Sequence, residues 1–406
     1  MRRVTLLGNF SGRNAGDNAI LGNLIADLSA VYPDLQFLVP TLNAGFVRRS
    51  FGGPNVRALG LMPWNGALKI FGLPTAYAML RTDLVLITDN LLFDRKFFNP
   101  AFNYLSTISL LAPLCRRRGI PVLLYNASVG PIETPRGAAA LRRVLRASEL
   151  AIVRDERSKE LLTELTPLEA SRVHVGADCA LNTEPAPEAR VDEIVRGLGL
   201  GPPDRPLVGI NVNSYVDAWK RDGGALGAAP FVAMMAQALD QLVDTLDLHL
   251  VFFVTQVMDG RITESLRVAM KSGDRVRVVK NPDLTYRELS GLMQRLELLV
   301  GMRTHSLILS AAAGTPMISI NAYPKNLAFM ETIGMGDWGI DFAGLTAERI
   351  YGRIHAAWEQ RASLREAVRS AVRVERDKAK RGAERLRPWL EASSTQATRG
   401  PGSAGG

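Results

Sequence analysis

The feature that most limits what this chain can fold into is an alternation of short apolar runs and helical patterns that occurs twice. In the first series the strand-like runs are Val4 to Leu7, Gln36 to Val39, Asp83 to Thr88, Val122 to Asn126, Ala151 to Arg154 and Val173 to Val175. Helical patterns at Asp17 to Val31, Ala101 to Arg118 and Arg136 to Arg146 lie between several of them. In the second series strands are expected at Leu207 to Asn211, His249 to Thr255, Val276 to Val279, Leu298 to Gly301 and Pro316 to Ile320. Helices are expected at Pro230 to Leu246, Arg261 to Lys271, Tyr286 to Arg295 and His305 to Ala313. Strands that are apolar throughout and alternate with helices imply parallel sheets covered on both faces. Between the two series, Pro185, Pro187, Gly197, Gly199, Gly201, Pro202, Pro203 and Pro206 suit a linker around one short helix. The expected architecture is therefore α/β, with two Rossmann-like domains facing across a cleft. They would span residues 1–182 and 207–345, joined by a linker over 183–206. A helical segment over 346–390 and a disordered Ser/Thr/Gly-rich tail over 391–406 follow. Ligands of such pairs usually bind in the cleft, at the carboxyl ends of the strands.

A chain of 406 residues, 47% hydrophobic and 22% charged, is neither a disordered polymer nor a disulfide-stapled miniprotein. Its two cysteines, Cys115 and Cys179, make no disulfide framework and lack zinc-site spacing. The apolar run after Met1-Arg2-Arg3 stops at Gly8-Asn9, too short for a signal-peptide core, and the longest other candidate, Tyr104 to Cys115, is too short to span a bilayer. The expected location is the cytoplasm. Lys and Arg outnumber Asp and Glu by 49 to 40, a net charge of +9 that invites an anionic partner. In residues 341–406 the balance is 13 − 8 = +5. That excess fits a solvated helix face first, and peripheral contact with the inner membrane face second. The basic residues are not interleaved with aromatics and no recognition motif occurs, so no nucleic-acid partner is expected.

Three loops carry residues suited to chemistry. The first, Gly8 to Asp17, joins the first strand to the first helix and matches neither a dinucleotide nor an NTP fingerprint. Asp17 either caps the helix or meets a sugar hydroxyl. The second is Val153-Arg154-Asp155, where Arg154 either grips a carboxylate or phosphate or pairs with Asp155 or a neighbouring loop; Asp178 is equally ambiguous. The third and sharpest is Gly301-Met302-Arg303-Thr304-His305, followed by Gly314-Thr315-Pro316 and Tyr323-Pro324-Lys325. It delivers an arginine, a histidine and a lysine to neighbouring strand ends. Adjacent cations oppose protonation of an imidazole and a bound anion favours it, so His305 makes most sense beside an anionic substrate.

Taken in order, Asn14-Ala15-Gly16-Asp17, Val153-Arg154-Asp155 and above all the third loop resemble the polysaccharide pyruvyl transferase family, over about residues 4 to 340. The resemblance implies a fold like the two-domain type B glycosyltransferases. It implies phosphoenolpyruvate as donor co-substrate, no cofactor and no metal, and as acceptor a sugar of a cell-surface glycan or of a lipid-linked precursor. On that basis His305 would be the general acid, Arg303, Lys325 and Arg154 would hold the donor, and Asn14, Gly16, Asp17, Asp89 and Asn90 would face the acceptor. The chain departs from the family's common pattern at Asn18, where an acidic residue is usual, and after Thr88-Asp89-Asn90, where a glycine triplet is usual. The chemistry of the donor agrees with the assignment. Phosphoenolpyruvate is small and highly charged, so several cations are needed to bind it, and ketal formation requires protonation of its methylene carbon. Two alternatives compete: a nucleotide-sugar glycosyltransferase of type B, for which Glu331 is the nearest ribose-binding candidate, and a non-catalytic protein binding glycan or anionic lipid.

Overall fold

A computed structural model describes residues 2–60, 73–94, 104–200, 205–214, 227–321 and 324–391. The expected tail beyond residue 391, residues 201–204 of the expected linker, Ala101 to Asn103 of an expected helix and Tyr323 of the third motif lie outside the described residues.

The chain forms two compact units, each built on a parallel sheet. The first contains β1 (Arg2–Leu7), β2 (Leu35–Thr41), β3 (Val56–Gly60), β4 (Leu84–Leu92), β5 (Val122–Val129), β6 (Leu150–Val153) and β7 (Val173–Val175). Their spatial order is β3-β2-β1-β4-β5-β6-β7. Val4 stands opposite both Phe37 of β2 and Leu84 of β4. All eight residues of β5 are buried, as expected of a central strand with helices on both faces. Ile108, Ala112 and Cys115 of the helix Leu105–Arg117 and Leu141, Val144 and Leu145 of the helix Pro135–Ala147 pack into that core.

The second unit contains β8 (Leu207–Asn211), β9 (His249–Val254), β10 (Val276–Lys280), β11 (Leu298–Gly301), β12 (Met317–Asn321) and β13 (Gly339–Asp341), in the order β10-β9-β8-β11-β12-β13. In both sheets the strand order reverses beside the first strand, between β1 and β4 and between β8 and β11. Such a switch point opens a crevice at the carboxyl ends of the strands.

The division differs from the expected one in three segments. Residues Gly12–Ile20 belong to the second unit, although the strand before them and the rest of their helix belong to the first. The expected linker has the one short helix expected of it, Glu188–Gly197, but it belongs to the second unit: the helix buries Val191 and Ile194, and Ala186 N–H donates to the Arg287 carbonyl at 2.9 Å. Gly291 is tight against it, since a Cβ there would lie 2.5 Å from Val191. Finally, the helix Arg361–Glu384 is counted with the second unit up to Arg376 and with the first from Asp377. Its basic face is not simply solvated. Arg365 donates to the Leu296 carbonyl at 2.8 Å, and Arg376 donates to the carbonyls of Leu181 and Ala312 at 2.7 and 3.0 Å. Among the described residues no helix is long and apolar enough to cross a membrane.

Candidate functional site

The expected donor loop sits at the switch point of the second sheet. β11 ends at Gly301, and Arg303 occupies the N-cap position of the helix Thr304–Ala312, which has no side-chain cap. Uncapped first-turn N–H groups and the positive end of the helix dipole therefore stand beside Arg303 and His305, an arrangement that favours an anion. Asn211, the last residue of β8, is fully buried and holds this turn. Its Oδ1 accepts from the Arg303 backbone N–H at 3.0 Å and from Ser306 Oγ at 2.9 Å, while its Nδ2 donates to the Phe253 carbonyl at 2.8 Å. Asn326 does the same from the helix Pro324–Thr332 that follows β12: its Nδ2 donates to the Met302 carbonyl at 2.8 Å and its Oδ1 accepts from Thr304 Oγ1 at 2.6 Å. Lys325, the neighbour of Asn326, is half-buried in the first turn of the helix Pro324–Thr332.

Arg303 is not the bare cation that sequence reading expects. Its Nε and Nη2 donate to the two carboxylate oxygens of Asp259 at 2.8 and 2.7 Å, a bidentate pair in which Asp259 is 0% exposed. Asp259 Oδ1 also accepts from the Ser214 N–H at 2.9 Å. The carboxylate thus offsets the guanidinium charge and fixes its plane. The pair's net charge is near zero, so the local excess of positive charge is smaller than three cations and a histidine would supply.

Gly16, expected to face the acceptor, abuts His305. A Cβ at residue 16 would lie 2.1 Å from His305 Cγ and 2.3 Å from Nδ1, so the imidazole fits only because residue 16 is glycine. The loop that carries Gly16 is anchored to the second unit by backbone hydrogen bonds. Ala15 N–H donates to the Thr255 carbonyl at 2.8 Å and Val257 N–H to the Arg13 carbonyl at 3.1 Å. Asn281, after β10, adds a bond from Nδ2 to the Gly12 carbonyl at 2.8 Å. Asn14 caps the helix Ala15–Val31: its Oδ1 accepts from Gly16 N–H at 2.9 Å, and its backbone bridges to Gln256. The capping role considered for Asp17 therefore falls to Asn14. Asp17 is buried in the first turn, where the dipole favours a carboxylate. Asn18 is buried as well; its Nδ2 donates to Asn281 Oδ1 at 3.2 Å and its Oδ1 has no hydrogen-bond partner.

The remaining expected residues belong to the first unit. Arg154, just past β6, pairs with Asp178 at 2.7 Å, with side chains 11% and 5% exposed; Asp155 caps the following helix by accepting from Ser158 N–H at 2.7 Å. Of the readings open for Arg154, pairing with a neighbouring loop is thus observed. Asp89 and Asn90 lie near the carboxyl end of β4, beside the first sheet's switch point. Asp89 is 2% exposed and has φ +58°, at a shift of register between β4 and β5; Asn126 on β5 has φ +55°. Two non-glycine residues in the left-handed region on adjacent strands are the kind of strain that clusters at ligand sites. Asp89 accepts from Asn9 N–H at 3.3 Å, and Asn90 Oδ1 is buried without a hydrogen-bond partner.

Sequence reasoning missed Asn211, Asp259, Asn281 and Asn126. Three of them share a signal: a polar residue at, or within a few residues after, the carboxyl end of an apolar strand of the second series. The Gly314-Thr315-Pro316 segment proves to be architectural. Gly314 has φ +71° and Thr315, fully buried, donates from Oγ1 to the Met293 carbonyl at 2.7 Å. Among the described residues no group of three or more His, Cys, Asp or Glu side chains is arranged to hold a metal ion.

Two doubly wound parallel sheets in sequence, each with polar residues at its switch point, define an α/β protein of the type B glycosyltransferase kind. Solved structures similar to it have the same fold. HepE from Anabaena, in complex with UDP and glucose, superposes with a TM-score of 0.60 over 96% of this chain and 99% of that one, at 15% identity. UDP-GlcNAc 2-epimerase from Neisseria meningitidis, bound to UDP-GlcNAc, gives 0.63 over 95% and 99%, at 12% identity. The sequence profile of the polysaccharide pyruvyl transferase family matches residues 14–322, and the chain belongs to that family. A curated relative, the amylovoran biosynthesis protein AmsJ of Erwinia amylovora, is 23% identical over 92% of this chain and 96% of its own length.

Proposed function

We propose that this protein transfers the pyruvyl group of phosphoenolpyruvate to a sugar of a cell-surface glycan, glycolipid or lipid-linked precursor, forming a cyclic ketal and releasing phosphate. The observation that carries the reading is the second unit's switch point, where Arg303, held by Asp259, and His305, backed by Gly16, flank an uncapped helix start.

In this reading His305 delivers a proton to the methylene carbon of the enol phosphate. A sugar hydroxyl then attacks the resulting oxocarbenium-like carbon and gives up its proton. Phosphate leaves with its bonding electron pair, and a second hydroxyl of the same sugar closes the ring with loss of its own proton. One proton is gained at carbon and two are released from hydroxyls; one restores His305 and the other goes to the departing phosphate oxygen. Arg303 and the helix N-terminus meet the charge of the donor, with Lys325 as a further cation. Within the first unit, Asp89 and Asn90 near the end of β4 are the hydroxyl partners for the acceptor, and Arg154, expected as a donor contact, is held by Asp178. Asn14, Gly16 and Asp17, grouped by sequence with the acceptor, serve the donor side by shaping the seat of His305.

The test is phosphate release from phosphoenolpyruvate in the presence of a panel of lipid-linked and nucleotide-linked sugars. One acceptor should support release, and His305→Ala should abolish it while the protein stays folded. Undiminished release by His305→Ala would remove His305 from the chemistry.

A further inference from the structure

The first unit carries a strongly basic groove that the transferase chemistry does not use. It lies where the helices Leu105–Arg117 and Pro135–Ala147 pack side by side, encloses roughly 680 Å³, and is lined by Arg116, Arg117, Arg142, Arg143 and Arg146. Helical spacing explains the convergence. Pro113 and Arg117 are four apart on one helix, and Ala139, Arg142, Arg143 and Arg146 follow at i, i+3, i+4 and i+7 on the other, so each set shares a face. Small residues at Pro113 and Ala139 leave the floor open between the guanidinium groups.

Elsewhere on this protein exposed arginines pair with carboxylates, as in Arg205–Asp247, Arg267–Glu264 and Arg295–Asp192. None of the five groove arginines does so among the described residues; Arg116 instead donates to the Arg146 carbonyl. Five like charges at close range repel one another, and among the described residues no carboxylate forms an ion pair with any of them. An external anion would. Leu110 precedes Pro113 and Arg117 by three and seven residues on the same helical face and is 66% exposed. A protruding leucine beside a basic groove matches the boundary between phosphate headgroups and acyl chains, where an apolar side chain is buried as cations meet phosphate. It does not match a nucleic-acid groove, which would call for aromatic side chains on which bases stack, and the lining has none.

We propose that this groove, with Leu110 at its margin, is the face by which the protein docks on an anionic phospholipid bilayer. The sequence placed any membrane contact in the basic C-terminal segment. Arg365 and Arg376 there are engaged with backbone carbonyls of the second unit, as Arg116 is with Arg146, whereas Arg117, Arg142, Arg143 and Arg146 make no such bond among the described residues and can meet an external anion.

Co-sedimentation with vesicles tests this without substrate, so its failure would leave the transferase reading untouched. The full chain should bind vesicles of phosphatidylglycerol and phosphatidylcholine in equal parts, not phosphatidylcholine alone, and release should follow rising salt. An arginine near an anionic surface strengthens binding about fivefold, so the triple change Arg117→Gln, Arg142→Gln and Arg143→Gln should weaken it on the order of a hundredfold. The same three positions changed to Lys should retain binding within a few-fold, which separates charge from misfolding, and Leu110→Asp should weaken it further at salt concentrations that screen the arginines. Equal binding by the glutamine triple, equal binding to phosphatidylcholine alone, or loss in that variant of binding to a single-stranded RNA but not to vesicles would each overturn the proposal.

Discussion

A methyl group at residue 16 would occupy the space of the His305 ring, because the two groups already meet within van der Waals distance. Gly16→Ala should therefore act through His305. Turnover should fall at least tenfold, while the strain of overpacking costs about 1–3 kcal/mol of stability, a split readable from kcat beside thermal melting. Unchanged kcat in a folded variant would mean that the ring's seat does not matter to the reaction. Asp259 acts comparably on Arg303. Asp259→Ala leaves a guanidinium of low exposure without its carboxylate and should cost about 3–5 kcal/mol in denaturant unfolding. Asp259→Asn keeps the volume, and should raise KM for the donor more than it lowers kcat. At this scale the sequence disclosed the site only in part. Arg303, Thr304 and His305 are contiguous and announce themselves at one strand end. Gly16 and Asp259 come from remote segments, and nothing local marks the glycine as a neighbour of the histidine. Only the fold brings them together.

At the scale of elements, the strands that carry the site were legible because each is apolar along its whole length. β8 and β11 were expected at Leu207 to Asn211 and Leu298 to Gly301 and have those bounds. The strands missed, β3 and β13, are the outermost of their sheets. β3 is only half-buried and β13 is three residues long, so neither offers an apolar run to read. The Gly314-Thr315-Pro316 turn is a case where a motif is legible and its meaning is not. Gly314 adopts a left-handed conformation against the Arg369 side chain, and its value is to deliver β12 in register beside β11. Gly314→Ala should cost about 1–2 kcal/mol of stability, measured by denaturant unfolding, with donor affinity little changed. A selective loss of donor affinity at full stability would assign the turn to the site instead.

For the whole molecule, the net charge of +9 resolves into separate uses: arginines of the C-terminal helix bonded to carbonyls, a basic groove on the first unit, and a nearly neutral Arg303–Asp259 pair at the site. Composition announced the total and not the distribution. The same burial has a consequence for pH. Desolvation, with Arg385 and Lys159 near His174 and with Arg275, Arg277 and Arg205 near His249, lowers both histidines from the ordinary value of 6.5. Above that pH neither the native nor the unfolded chain is protonated there, and nothing is lost. As pH falls below 6.5 the unfolded chain takes up protons first, so stability declines until the lowered native values are passed. Urea unfolding should show this decline, and His174→Gln with His249→Gln should flatten it; an unaltered slope would place its origin in other groups. The central claim concerns what the protein makes. Mass spectrometry of a sugar acceptor incubated with phosphoenolpyruvate and the protein tests it most directly. The account predicts an acceptor carrying a pyruvyl ketal with wild type and none with His305→Ala. An acceptor unmodified by phosphoenolpyruvate but glycosylated when a nucleotide sugar is supplied would contradict it.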